Sequence, residues 1–351
     1  MNSFERMHAL VEKRPVDRPA LAGWMHMPLV DGNIRDFVKA SIDWTEQNSF
    51  DFVKVMFNGL FSTQDFGNIV EYSRDPGVWA GKIVKHAIEH PMEYAKLKVP
   101  DVKKGILGRE IESTKRIVDH FKGKVPVLAT VFQPIATAQE MYCSHTRQEM
   151  MIAALEYNPN EVHKGLEVIT ETTLRFTDEL MKAGIDGVFF ASHYCSSQVI
   201  SEDMHKEFVR KYDLPVLNNV RKGTCFNMLH LHGCKSLRPD WHYDYPVQAL
   251  NWEDSQGPEE TRLSIRDGMR GHEDKFFIGG LNQYTDFCQP DNDREKTKAN
   301  IRARLANVLE QIGSDNFVFA PGCAFTNDYP VYRYTLIKEV IDDYVAAGNK
   351  L

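Results

Sequence analysis

Apolar positions along the chain follow two periods. Short runs rich in β-branched and aromatic residues, apolar at every second position or without a break, are separated by longer stretches with apolar residues three and four apart. Eight runs predict strands: residues 20–27, 51–58, 125–133, 187–194, 226–233, 247–253, 276–283 and 316–322. Residues 160–183, 203–220, 294–312 and 332–346 predict amphipathic helices, the third opening after the capping cluster Asp291, Asn292, Asp293. Eight alternating units predict an α/β chain folded as a (β/α)8 TIM barrel, one domain over residues 1–351. An open doubly wound sheet fits less well, because no glycine-rich dinucleotide fingerprint follows the first strand. Residues 59–124 exceed one ordinary crossover and predict an inserted helical lobe at the barrel mouth.

Barrel enzymes build their sites at the C-terminal ends of strands, so the polar residues there are the candidates for chemistry. Trp24 and His26 follow the first strand, Asn58 the second, Gln133 the third, and His193 with Tyr194 the fourth; Asn282 follows the seventh. The run Asn227-Met228-Leu229-His230-Leu231-His232-Gly233-Cys234 reads as a strand with two faces. Period-two alternation puts His230, His232 and Cys234 on one face and Leu229 with Leu231 on the other. A His-x-Cys triplet alone is weak, since chance supplies it about 0.2 times in a chain of this composition. Phe317-Val318-Phe319-Ala320-Pro321-Gly322-Cys323 corroborates it, because closure of a barrel brings this last strand near the others. His232, Cys234 and Cys323 are then ligands of the types zinc prefers, with Glu253 as the fourth, exchangeable one. His230, one step deeper, reads as a hydrogen-bonding neighbour of the site.

Composition narrows the classes. The chain has 351 residues, 42% hydrophobic and 26% charged, which fits a globular protein with an ample core. Its net charge is −7 and no basic run stands out, which argues against nucleic-acid binding. No apolar stretch reaches membrane-spanning length and the start lacks a signal-peptide pattern, so a cytoplasmic protein is expected. Six sparse cysteines then read as thiols or metal ligands: Cys143, Cys195, Cys225 and Cys288 have no partner at metal spacing, although Cys195 lies beside His193.

The segments Phe4-Glu5-Arg6-Met7 and Arg14-Pro15-Val16-Asp17-Arg18-Pro19, the turn Ile278-Gly279-Gly280-Leu281-Asn282 and the closing Ala320-Pro321-Gly322-Cys323 resemble the uroporphyrinogen decarboxylase superfamily. The resemblance spans nearly the whole chain and implies the barrel. Decarboxylases of that name carry Met-Arg-Gln-Ala-Gly-Arg-Tyr after the first strand; here stands Gly23-Trp24-Met25-His26-Met27-Pro28, without the arginines that hold many carboxylates. The His-x-Cys and distant Cys are similar to the zinc-dependent branch that includes methylcobamide:coenzyme M methyltransferases. In that branch the ligands fall on His232, Cys234 and Cys323, and the related cobalamin-independent methionine synthase barrel adds a glutamate at the position of Glu253.

This resemblance implies a zinc-dependent methyltransferase acting between a corrinoid and a small thiol or methylated molecule, in either direction, with O-demethylation as one form. The expected catalytic residues are Glu253, His193 and Tyr194, and the expected substrate contacts Trp24, His26, Asn58, Gln133 and Asn282. Trp24, Phe57, Phe61, Tyr194 and Tyr284 are candidates for an aryl pocket. The methylcobamide is expected on a separate corrinoid protein, because no Asp-x-His-x-x-Gly motif is present: Asp203-Met204-His205 begins one and fails at Phe208. Residues 59–124 and 238–245, with Trp241, His242, Tyr243 and Tyr245, are the expected docking surfaces. Two other readings stand beside this one. A decarboxylase or other lyase needs arginines at the mouth, where Arg35 and Arg74 are the candidates; a noncatalytic binding protein would use zinc only as a staple.

Overall fold

A computed structural model describes residues 1–350 except 74, 76, 77, 79, 288–292 and 328. Arg74, Cys288 and two members of the predicted capping cluster, Asp291 and Asn292, therefore lie outside the described residues. The strands in chain order are β1 (Ala20–Leu21), β2 (Val53–Val55), β3 (Ile69–Glu71), β4 (Lys82–Lys85), β5 (Val127–Phe132), β6 (Gly187–Ser192), β7 (Met228–Leu231), β8 (Ala249–Trp252), β9 (Phe276–Leu281) and β10 (Val318–Pro321). All but β3 and β4 form one parallel sheet in the order β1-β10-β9-β8-β7-β6-β5-β2. These eight strands are those the alternation predicts, each shorter than its apolar run. The sheet curls with helices outside it, a (β/α)8 TIM barrel.

The period-two pattern is visible in the packing. Leu21, Val53, Val55, Leu229, Leu231, Leu250 and Trp252 face outward into a core shared with the helices. Ala20, Ala22, Phe52, Phe226, Met228, Ala249, Phe276 and Ala320 face inward. Phe52, Phe226 and Phe276 fill the lower barrel, their rings 5.3 and 5.7 Å apart, and Met7 and Leu10 of the helix Ser3–Val11 close it from below. Higher up, the small inward residues Ala22, Ala191 and Ala320 leave space.

The seam between β1 and β2 has no strand ladder among the described residues; one side chain does that work. The Asp51 peptide N–H donates to Leu21 O (2.7 Å), and the buried Asp51 carboxylate accepts from Leu21 N–H (2.8 Å), as a neighbouring strand would. The same carboxylate takes Arg6 (2.7 Å), Arg18 (2.9 Å) and Ser3 (2.9 Å), so its charge is compensated and the N-terminal segment is pinned to the seam.

The long segment after β2 contains more than helix. Its first part forms a short helix, Phe61–Gln64, the antiparallel hairpin β3–β4 and a 3-10 turn, Pro91–Lys96; the helix Gly105–Phe121 is the crossover itself. The predicted helix at 203–220 is interrupted by a π-helical turn, Lys206–Arg210, and contains Pro215. The loop 238–245 is corrected as a docking surface. It replaces the helix of its β/α unit and runs down the barrel wall, so Trp241, His242 and Tyr245 are buried. Tyr243 alone of these aromatics is exposed, and it lies beside Gly271 and His272 near the lower end of β9, away from the mouth. No helix among the described residues is long and apolar enough to cross a membrane.

Asp51→Ala should cost about 1–3 kcal/mol, because it leaves the Leu21 peptide N–H and one Arg6 nitrogen without their acceptor and opens the seam, while Asp17 still pairs with Arg6. Chemical denaturation should show a lower midpoint at an unchanged slope; an unchanged midpoint would mean that the seam is held elsewhere.

Candidate functional site

β7 carries two histidines on its inward face, and the segment that leaves β10 carries a cysteine to meet them. His230 Nε2, His232 Nδ1 and Cys323 Sγ lie within 4.8 Å of one another. The two imidazoles face each other at 3.3 Å, and His232 Nδ1 is 4.0 Å from the sulfur. The cysteine reaches this place because Gly322 packs directly on the end of β8: a Cβ there would lie 2.6 Å from Glu253 Cα and 2.8 Å from Trp252 O.

A buried amide fixes the tautomer of His230. Asn251 stands beside it in the β7–β8 register and is fully buried. Its amide nitrogen donates to Ile278 O (2.8 Å) and Pro321 O (3.1 Å), spending both hydrogens on β9 and β10. The Asn251 oxygen must then face His230 Nδ1, 2.6 Å away, so Nδ1 carries the hydrogen and Nε2 presents a lone pair to His232 and Cys323. The contact between the imidazoles is bridged either by the His232 proton or by a cation that displaces it.

Electrostatics agree with this arrangement. Burial, with the charge of the neighbouring His232, holds His230 well below the usual histidine range, and burial likewise lowers His232. Both are neutral donors at pH 7, as metal coordination requires. Burial and the nearby Glu253 push the Cys323 thiol up to about 12, so in this pocket the thiolate requires a cation. The donor set fits zinc: two imidazoles and a sulfur, with space beside them for a further ligand.

Cys234, expected as a ligand, is not in this group. β7 ends at Leu231, and Gly233 turns the chain at a φ of 112°, so the alternation that places His230 and His232 inward does not continue to Cys234. Its sulfur packs against the loop at Gly257. His230, expected as a neighbour, takes the place in the group. Glu253 is mostly buried at the rim and accepts a hydrogen bond from Gln283 Nε2. Its charge acts on Cys234 and Cys323, but it lies outside the three-atom group.

The cavity above these residues has a volume of about 390 Å³. Trp24, His26 and His193 line it, with Phe57, Phe132, Phe189, Phe325 and Tyr284 as further aromatic wall. His193 stacks on His232 at 4.4 Å, and Gln133 sets that contact by accepting the His193 peptide N–H (2.8 Å). Gln133 itself is fully buried, donating to Ser192 and Asp213, and supports the loop without facing the cavity. Tyr194, Asn58 and Asn282 are corrected in the same way. The Tyr194 hydroxyl donates to Gln139, Asn58 ties Asp31 and Leu60, and Asn282 accepts from the peptides of Tyr284 and Thr285. Phe61 belongs to the core between sheet and helices, and Cys195 is buried with its thiol on Ser192 O. Arg35 is exposed and paired with Asp36.

Three ionisable cavity residues lie outside the sequence-based expectation: Lys54 from β2, and Glu140 and His145 from the segment after β5. The alternation Val53, Lys54, Val55, Met56 would have revealed the first, since it points the lysine inward. Glu140 and His145 face each other at 3.7 Å.

Comparisons with known proteins agree with the fold. The family description "Uroporphyrinogen decarboxylase (URO-D)" matches residues 22–344. The chain is 18% identical over 308 residues to the methylcobamide:CoM methyltransferase MtbA of Methanosarcina acetivorans, covering 79% of this chain and 81% of that protein. Among solved structures it is similar to a methyltransferase from Methanosarcina mazei, with a TM-score of 0.77 at 17% identity over 98% of this chain and 99% of the other. It is also similar to a B12-independent methionine synthase from a Shewanella species, with a TM-score of 0.55 at 13% identity over 94% and 98% of the two chains. With residues 22–344 matched, nearly the whole chain, this protein belongs to the uroporphyrinogen decarboxylase (URO-D) family.

Proposed function

We propose that the chain is a zinc-dependent methyltransferase that moves a methyl group between a small molecule and a corrinoid carried by a separate protein. The observation that carries this reading is the convergence of His230 Nε2, His232 Nδ1 and Cys323 Sγ at the wall of an aromatic cavity. The likeness to a methylcobamide methyltransferase supports it, as does the composition of the cavity lining, which holds no arginine among the described residues. A polycarboxylate substrate of the decarboxylase kind would find no bidentate partner there.

Zinc held by these residues supplies Lewis acidity, which lowers the pKa of a bound thiol or polarises a methylated heteroatom. The protein's own contribution is to fix the donors and to set their charge. Asn251 holds His230 in the tautomer that offers Nε2, and Gln133 holds the His193 ring against His232. Two neutral imidazoles and one thiolate give less negative charge than a set with two thiolates. This favours withdrawal of electrons from a methylated oxygen, nitrogen or sulfur, and hence methyl transfer toward the corrinoid. Glu253, at the rim beside Cys323, is the exchangeable carboxylate of this reading. The corrinoid protein would meet the mouth, where the β3–β4 hairpin exposes Ile69 and Val84.

Metal analysis of the purified protein should find one zinc per chain. His230→Ala and Cys323→Ser should lose it while Cys234→Ser retains it; loss in the last variant alone would move the site to the ligand set expected from the strand pattern. Asn251→Leu should weaken Co2+ binding about 10–100-fold, read from the absorption of the bound ion. Incubation with reduced cobalamin and a panel of methyl ethers, thioethers and amines should form methylcobalamin. Methylation of thiols from methylcobalamin, with no demethylation of any panel member, would reverse the assigned direction.

A further inference from the structure

The proposed metal chemistry leaves one charged group in the cavity unused. Lys54 lies on the inward face of β2, between the outward Val53 and Val55, and is 8% exposed. Its ammonium sits 3.9 Å from the Phe189 ring centroid and 5.7 Å from that of Trp24. Its hydrogen-bond acceptor is the Met56 thioether, 2.6 Å away, and a thioether is a weak acceptor. No carboxylate lies within ion-pair distance of Lys54 among the described residues; Glu140, the carboxylate of the cavity wall, faces His145. A second donor beside it is also unspent: the buried indole N–H of Trp24 has no hydrogen-bond partner.

A buried ammonium that lacks an anion is costly, and the ring faces of Phe189 and Trp24 compensate only part of that cost. Both unspent donors belong to residues that line the same cavity; burial pulls the Lys54 ammonium down to about 7, and negative charge nearby, such as that of Cys323, acts the other way. The missing element is an acceptor of negative charge that arrives with the substrate.

We propose that Lys54 and the Trp24 indole N–H form an anion-binding site, which holds a carboxylate or phenolate oxygen of a small aromatic substrate whose ring lies against Phe57, Phe132 and Phe325. This deepens the proposed function by naming its substrate class, and it rests on that reading for the fate of the bound molecule, although binding itself requires neither metal nor corrinoid.

Calorimetry on the metal-free protein tests it at one pH, slightly below neutral, with three probes: 4-methoxybenzoate, pentafluorophenol, an acidic phenol already ionised there, and neutral methoxybenzene. The parent should bind an anionic probe at least tenfold more tightly than methoxybenzene. Lys54→Met should abolish that preference, Lys54→Arg should keep most of it, and Trp24→Phe, which keeps a ring but removes the donor, should reduce it. Preference for 4-methoxybenzoate would assign the site to a substrate acid group, and preference for ionised phenol to the oxygen that carries the methyl group. Circular dichroism checks the fold of each variant, and Lys54→Gln stands in should the methionine variant fail to fold. Equal binding of charged and neutral probes by the parent, or an unchanged preference in folded Lys54→Met or Lys54→Gln, would overturn the proposal. Lysine-dependent anion binding without any cobalamin-linked methyl transfer would instead overturn the proposed function and leave this site standing.

Discussion

The candidate site depends on the complete hydrogen bonding of one amide. Asn251 is buried where four strands meet, and each of its polar atoms has a single available use: two hydrogens for carbonyls of β9 and β10, one oxygen for the imidazole of β7. Because the backbone carbonyls can only accept, the amide cannot turn over, and the histidine cannot exchange tautomers without leaving its Nδ1 facing a second acceptor. The sheet thus dictates the lone pair at the site. A donor set by strand register in this way is more rigid than one set by a loop.

Much of the fold was legible because it rests on one repeated rule. Alternation in 228–232 separates Leu229 and Leu231 from His230 and His232, and the structure keeps that separation. The rule failed where a strand ended. Gly233 takes a positive φ that residue spacing does not reveal, so Cys234 was counted on a face that no longer exists at its position. Polar residues at strand ends were also harder to interpret than apolar ones. Asn58 and Asn282 look like substrate contacts by position, yet loops that turn back over a barrel need side-chain acceptors for their own peptide hydrogens, and these asparagines supply them. Lys54 was the opposite case: its inward position follows from the same alternation, but a lysine in a strand is easily taken for a solvated residue.

The distribution of side-chain size along the barrel axis explains why the site has room. Phenylalanines pack the lower interior, whereas the upper interior uses Ala22, Ala191 and Ala320. The space left by those methyl groups opens into the cavity, whose walls are aromatic and whose polar groups are mainly imidazoles. A cavity of this kind excludes most water while keeping neutral nitrogen donors available, a combination that strengthens any charge interaction formed inside it.

The Asp51 seam also bears on the order in which the protein folds. β1 has its ladder with β10, at the far end of the chain, and meets β2 through the Asp51 peptide and carboxylate. During synthesis the first strand therefore emerges long before its partner, and its edge stays unpaired until the last β/α unit has left the ribosome. Contacts of such sequence separation form slowly, because loop closure precedes any gain from them. Arg6, Arg18 and Asp51 can assemble early, since all lie within the first 51 residues. They keep the N-terminal segment and Leu21 in place as a preformed landing edge, so that the final strand docks onto an ordered template and a nascent chain with an open sheet is shielded on one side.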